Sequence, residues 1–244
     1  MVDDGRICGV LPVDKPVGPT SFAIVREVRR RLGVKKVGHA GSLDPFASGL
    51  LLVCVGRPAT RLSSDLMAGR KRYRAEVQLG VETDTYDAEG REVVRRPVGD
   101  LDRSRIEACL DRFRGEILQA PPPFSALKHK GKPLYYYARR GTPIQKEPRP
   151  VTIYTLELVA VEAERLILDI QCGKGTYVRS LASDIGRALG CGAHLARLRR
   201  LACGPFTVEN AVDGGRLAEA PLAYLLDHLI AIEDIAPMLA PRGD

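Results

Sequence analysis

Residues 50–55, LLLVCV, are six apolar side chains in an unbroken row. Side chains along a strand alternate between its two faces, so a run of this kind reads as a strand covered on both sides. It is far short of the roughly 20 residues that a membrane span needs. Cover on both faces demands a sizeable core, and 244 residues with 45% hydrophobic content fill one large domain or two small ones. Immediately ahead stands GHAGSLDP, residues 38–45. That stretch sets one carboxylate, Asp44, between a glycine-studded turn and the buried strand, with His39 before it and Pro45 after it.

The neighbouring patterns place further elements. Residues 7–13 read as a short strand, and DKPVGPTS after it is a Pro/Gly turn that delivers Thr20 or Ser21 as the N-cap of a helix with Val25, Val28 and Leu32 inward. In KRYRAEVQLG the period is two: Tyr73, Ala75, Val77 and Leu79 share one face, and Arg72, Arg74, Glu76 and Gln78 the other. Ser104 with Glu107 has capping-box spacing ahead of Ile106, Cys109, Leu110 and Phe113. Strands are expected near 115–118, 151–159 and 165–171. After GKGT, the residues Val178, Leu181, Ala182, Ile185 and Leu189 fit one helical stripe, with Thr176 as cap and Gly190 as stop. Strands and helices alternate without a regular βαβ beat. The pattern suits a mixed α/β sheet rather than a doubly wound nucleotide fold.

Charge narrows the partners. Lys and Arg total 37 against 30 Asp and Glu, a formal +7 that favours a polyanion. Residues 121–146 concentrate this: Lys128, Lys130, Lys132, Arg139, Arg140 and Lys146 are interleaved with Phe124, Tyr135, Tyr136 and Tyr137 and no acid. Cations beside flat rings suit nucleic acid, and a short helix with inward tyrosines is the ordinary alternative. The six cysteines are scattered without C-x-x-C or zinc-ligand spacing, and read as reduced, mostly buried thiols. With no signal pattern at the start, the expected location is cytoplasmic, with no membrane contact.

Several motifs fail. GKGT is no phosphate loop, because Gly175 follows Lys174 and Leu168 holds the early glycine position. No dinucleotide fingerprint or nucleophile elbow is present, and His39, Ser42 and Asp44 make no triad by sequence proximity. What remains is a carboxylate on a turn, a first-turn arginine, a strand-entry tyrosine and a basic aromatic segment.

Together these resemble the TruB-type pseudouridine synthases, the bacterial tRNA pseudouridine-55 synthases and their RNA-guided relatives. DKPVGPTS and GHAGSLDPFASGLL match the paired motifs K-P-x-G-x-T-S and G-H-x-G-x-L-D-P. KRYR, LGVETDTYDAEG, PPPFSALKHKGKPLYYYARRG, CGKGTYVRSL and GCGAHLARLRRL follow in the family's order. The form of the inserted segment, about 121–148, resembles the stand-alone tRNA branch.

The resemblance implies an α/β fold of the α+β type, with a mixed, largely antiparallel sheet flanked by helices, and isomerisation of the T-loop uridine at position 55 of tRNA, without cofactor or metal and with no obligatory protein partner. It implies that Asp44 is the catalytic carboxylate, Arg179 its ion-pair partner and Tyr73 the ring that stacks on uracil. His39 takes the space of the flipped base, Leu198 walls the pocket, and Tyr177 and Lys128 meet the RNA. Lys15, Pro16, Gly38 and Gly41 support the site, and Asp84 matches a family position near it without an assigned role. A tRNA-folding chaperone and a guided-modification subunit are the competing readings. On this view residues 1–232 form the catalytic domain and 233–244 a tail, and the chain stops about where the family's C-terminal PUA domain begins.

Overall fold

The computed structural model describes residues 2, 3 and 6–239. The chain forms two compact units, Met1–Arg72 with Arg199–Asp244, and Tyr73–Leu198. Both crossings fall inside strands, Lys71–Leu79 and Ala193–Cys203.

In the first unit the apolar run is the strand Ser48–Val55, and Leu50 through Val55 are completely buried. Leu51, Val53 and Val55 face a layer built from Ile24, Val25, Val28 and Leu32 of one helix, with Leu225 and Leu229 from near the C-terminus. Leu50, Leu52 and Cys54 face the opposite layer, with Ala59, Leu66, Phe206 and Ile235. Alternation along one strand thus fills two cores. One edge pairs antiparallel with Gly9–Lys15, from Gly9 opposite Val55 to Lys15 opposite Gly49. The other is shared: Val37–Ala40 runs antiparallel beside Val55 to Leu52, and Arg199 and Arg200 run parallel beside Ser48 and Gly49. Val212–Asp213 extends the sheet, parallel to Val13 and Asp14.

The helix Ser21–Leu32 starts where expected. Thr20 is its cap, accepting from the Ala23 amide at 3.1 Å, and Gly33 ends it at φ +65°. The helix Ile232–Leu239 follows near the C-terminus, and its Ile235 is buried in the second core. All six cysteines are free and buried, and burial pushes the Cys54 thiol up to about 12.

In the second unit, strand order runs Lys71–Leu79, Arg165–Cys172, Arg149–Glu162, Gly115–Gln119. The last three are joined antiparallel, with Leu156 opposite Ile170 and Ile117 opposite Val151. The pairings therefore combine parallel and antiparallel contacts in the first unit, and the fold is the mixed α/β class expected. The helix Arg103–Asp111 packs against Val178–Leu189 and against the Arg149–Glu162 strand.

Two caps differ from the expectation. Asp102, not Ser104, caps the first of these helices, accepting from the Arg105 amide at 2.7 Å. Aspartate is as good a cap as serine, and the helix gains its first turn earlier. Tyr177 holds the N-cap position of the second, with no side-chain cap bond, because the Thr176 hydroxyl donates back to the Gly173 carbonyl at 3.1 Å. Among the described residues no helix is long and apolar enough to cross a membrane.

Replacing Leu52 by Ala should cost about 2–5 kcal/mol by transfer and cavity terms. Leu118→Ala, at a side chain 73% exposed on an edge strand, should stay within about 0.5 kcal/mol of the parent. Urea unfolding of the two variants checks the contrast.

Candidate active site

The Asp44 turn is held by its backbone. Val37–Ala40 delivers the chain to Gly41, whose φ of +88° lies in the left-handed region that suits glycine. Leu43 is then buried and Asp44 half-buried, and the Ala47 amide donates to the Asp44 carbonyl at 3.1 Å. The Ser21 hydroxyl spans the turn, donating to the Leu43 carbonyl at 2.9 Å and accepting from the Leu43 amide at 2.8 Å. Lys15 is fully buried and donates to the carbonyls of Pro16 at 2.8 Å, Pro19 at 2.9 Å and Pro45 at 3.4 Å. One ammonium thus links the K-P-x-G turn to the residue after Asp44.

Gly38 differs from the sequence reading. It lies within the strand, opposite Cys54, and a Cβ there would sit at an ordinary 3.6 Å from Thr60, so turn geometry does not demand it. His39 lies next to it, opposite Val53. Its Nδ1 is buried without a hydrogen-bond partner. Burial first, and the nearby Arg200 charge second, hold its pKa below the ordinary 6.5, so the ring is neutral at pH 7.

The second unit organises Arg179. This residue is the second of the helix Val178–Leu189 and only 6% exposed. A cation at a helix start opposes the dipole and needs other partners. It has them in the Thr85 carbonyl at 3.0 Å, the Phe124 carbonyl at 2.8 Å and the Asp87 carboxylate at 3.3 Å. Asp87, 4% exposed, is in turn oriented through its other oxygen, which accepts from the Thr85 hydroxyl at 2.6 Å and the Glu89 amide at 3.0 Å. The Thr83 hydroxyl donates to the Asp87 carbonyl at 2.7 Å. Gly90 closes the loop, since a Cβ there would fall 2.2 Å from the Thr85 hydroxyl.

Asp87 is the residue that sequence reasoning missed. Asp84, the one singled out, accepts from the Arg91 amide at 2.9 Å and from its exposed guanidinium at 3.2 Å, and so fastens the loop from outside. The signal available was the T-x-T-x-D-x-x-G spacing, in which short polar side chains close a turn on themselves.

The remaining residues of the second unit are placed as follows. Tyr73 and Leu198 are both buried, Tyr73 on the strand face it shares with Ala75, Val77 and Leu79. Tyr177 donates its amide to the Gln119 side chain at 2.7 Å. The insert forms a small hairpin, Lys128–His129 with Lys132–Pro133, followed by the helix Leu134–Ala138. Leu134, not a tyrosine, is its buried anchor, and Lys128 is exposed. Tyr136 is flanked by Lys132 and Arg140, each 4.3 Å from the ring centre. Of the predicted site, then, Asp44, His39, Lys15, Pro16, Gly38 and Gly41 lie in the first unit. Tyr73, Lys128, Tyr177, Arg179 and Leu198 lie in the second.

Residues 29–178 match the model of the TruB family pseudouridylate synthase N-terminal domain, and residues 179–239 that of the tRNA pseudouridylate synthase B C-terminal domain. The chain belongs to the TruB family. A tRNA pseudouridine synthase B of Desulfotalea psychrophila is 50% identical over 98% of this chain and 100% of its own length. One from Chlamydia trachomatis is 47% identical over 95% of this chain and 96% of its own. Among solved structures, a Cbf5-Nop10-Gar1 complex contains a chain that superposes with a TM-score of 0.73 at 30% identity. That match covers 94% of this chain and 62% of that one.

In this TruB chain the far end of the Arg179 helix is also pinned. Glu82 accepts from Arg96 at 2.6 Å and from Arg187 at 3.3 Å. Burial alone would raise its pKa, but the two guanidinium groups outweigh that and hold the carboxyl below its ordinary 4.5.

Two predictions follow from these geometries. Asp87→Ala, which removes a buried carboxylate from beside a buried arginine, should cost about 3–5 kcal/mol in denaturant unfolding, whereas Asp84→Ala should cost under about 1 kcal/mol. The Glu82 pairs should stabilise fully above pH 4.5 and lose their effect as pH falls through the depressed folded value. Glu82→Gln should therefore flatten the acid limb of a stability–pH curve, and an unchanged limb would remove Glu82 from that role.

Proposed function

We propose that this chain isomerises the uridine at position 55 of the tRNA T loop to pseudouridine, with Asp44 as the essential carboxylate. The observation that carries this reading is the end-to-end match with relatives named tRNA pseudouridine synthase B. The net positive charge and the cation-flanked Tyr136 of the insert support an RNA substrate.

The reaction moves ribose between two atoms of one base. The bond from N1 to C1′ breaks, a bond from C5 to C1′ forms, and the proton lost from C5 is balanced by one gained at N1. Atoms and oxidation state are conserved, so the reaction needs no co-reactant, and Asp44 acts within it as nucleophile or as base. Asp44 works in its ionised form, on the sugar or the base. Its support suits this: a turn fixed through Lys15 and Ser21 keeps the carboxylate in one place while the base moves. In this reading Arg179, itself oriented by Asp87, supplies the guanidinium that directs the Asp44 oxygens.

A uridine within a folded loop must leave its stack before it reacts, at a cost of a few kcal/mol. His39 offsets this by filling the vacated space, and a neutral ring with an unpartnered nitrogen suits contact with bases. Tyr73 stacks on the extruded uracil and Leu198 forms an apolar wall. Tyr177 and Lys128, with the tyrosines of the insert, meet the surrounding RNA.

The test is one assay with the purified chain, chelator-treated buffer and unmodified tRNA, mapping every modified position. Modification of the T-loop uridine without added protein or guide RNA is expected. Asp44→Asn should abolish product while leaving T-arm binding within about threefold, as expected of a group that acts mainly in the transition state. Normal turnover by that variant, or activity only with further proteins or guide RNA, would overturn the proposal.

A further inference from the structure

We propose that Arg200 is a positioning residue for Asp44, clamping the turn that carries it by three backbone carbonyls. The inference rests on the reading of Asp44 as the reacting carboxylate. Arg200 is 2% exposed and is among the largest fully buried side chains of the protein. Its Nε donates to the Leu50 carbonyl at 2.6 Å, one Nη to Gly41 at 3.0 Å and the other to Ser42 at 3.4 Å. Gly41 and Ser42 precede Asp44, and Leu50 follows it. One planar guanidinium therefore ties the two ends of the 41–50 segment together.

The backbone is built to bring that group in. Arg200 pairs parallel with Gly49, whose φ is +102°. A Cβ at residue 49 would lie 2.2 Å from the Arg200 carbonyl oxygen and 2.6 Å from its nitrogen. Only glycine allows the strand and the turn to approach so closely. The preceding residue makes the contrast: Arg199 points the other way and forms a bidentate, half-exposed pair with Asp14 at 2.9 and 2.7 Å.

A buried guanidinium held by carbonyl oxygens is a costly way to fill a core, since an apolar side chain packs there without desolvating a charge. What the charge supplies is direction. Each carbonyl it binds fixes the plane of a peptide, and fixing the peptides after Gly41 and Ser42 sets the path into Leu43 and Asp44. Lys15 anchors the same turn from the other side, at Pro45, and Ser21 holds its middle at Leu43. Lysine in place of arginine offers a point charge without the fork that reaches carbonyls nine residues apart. The depressed pKa of His39, to which Arg200 contributes, places this charge within reach of a second residue of the proposed site.

The test compares Arg200→Lys, Arg200→Met, Arg199→Lys and Asp44→Asn, each in the full chain. Thermal unfolding, tRNA affinity by filter binding, and the single-turnover rate at saturating enzyme, well below every unfolding midpoint, are measured for all four. Arg200→Lys should fold and bind tRNA near the parent level while its single-turnover rate falls about 100-fold, the scale expected for misplacing a reacting group by an ångström. Arg200→Met should fall further, and Arg199→Lys should stay near the parent rate. If Arg200→Met fails to fold, Arg200→Lys decides alone. A parent-like rate for Arg200→Lys, with only a lower unfolding midpoint, overturns the proposal in favour of plain core support. A dead Asp44→Asn beside that result would leave the reading of Asp44 standing, whereas a fully active Asp44→Asn would overturn both.

Discussion

The strand Ser48–Val55 has no face to offer to water. Leucine, valine and cysteine alternate on both sides of it, so helices must cover each side and partner strands must satisfy its backbone along both edges. Gly9–Lys15 takes one edge, and Val37–Ala40 with the Arg199–Arg200 segment divides the other. That division decides the rest of the first unit. The strand that brings His39 and the segment that brings Arg200 stop at different points along a common edge, and the turn of Asp44 lies at the end of that strand pair.

The proposed site is supported mainly through main-chain oxygens. Lys15 and Arg200 are buried cations that donate to main-chain carbonyls, Lys15 at Pro16 and Pro19 and Arg200 at Gly41 and at Leu50 of the strand, and Arg179 binds two carbonyls as well as Asp87. Carbonyl partners fix the direction of the backbone they bind. The Arg179–Asp87 pair follows a different logic, with each oxygen of the aspartate occupied by a separate donor. Its buried charges are tolerable because the network is satisfied on both sides.

What was legible in the sequence was periodicity. The alternation in residues 73–79, the unbroken run at 50–55 and the stripe from Val178 to Leu189 each state a burial pattern locally, and the structure follows them. Caps were less secure because several residues near a helix start can serve: Asp102 did so in place of Ser104, and Thr176 turned back to Gly173. Gly38 stood in a glycine-rich motif yet belongs to a strand. Least legible was Asp87, whose role depends on Arg179, 92 positions away by their residue numbers. The T-x-T-x-D-x-x-G spacing marks the turn that Asp87 closes, but burial against the helix start is what separates Asp87 from Asp84 three positions earlier. The insert was legible as basic and aromatic, but its anchor, Leu134, was hidden among more conspicuous tyrosines.

The chain leaves the first unit after Arg72 and re-enters it at Arg199. On a ribosome, the strand Ser48–Val55 and the Asp44 turn emerge long before the residues that complete them: Arg200 is separated from Gly41 by 159 positions. Until those residues are made, part of one strand edge is unpaired and the turn lacks its guanidinium clamp. Domains generally fold as units during synthesis, and contacts of large sequence separation form late. A nascent chain that has exposed the Asp44 sequence but not yet Arg200 would therefore lack the clamp that fixes the turn.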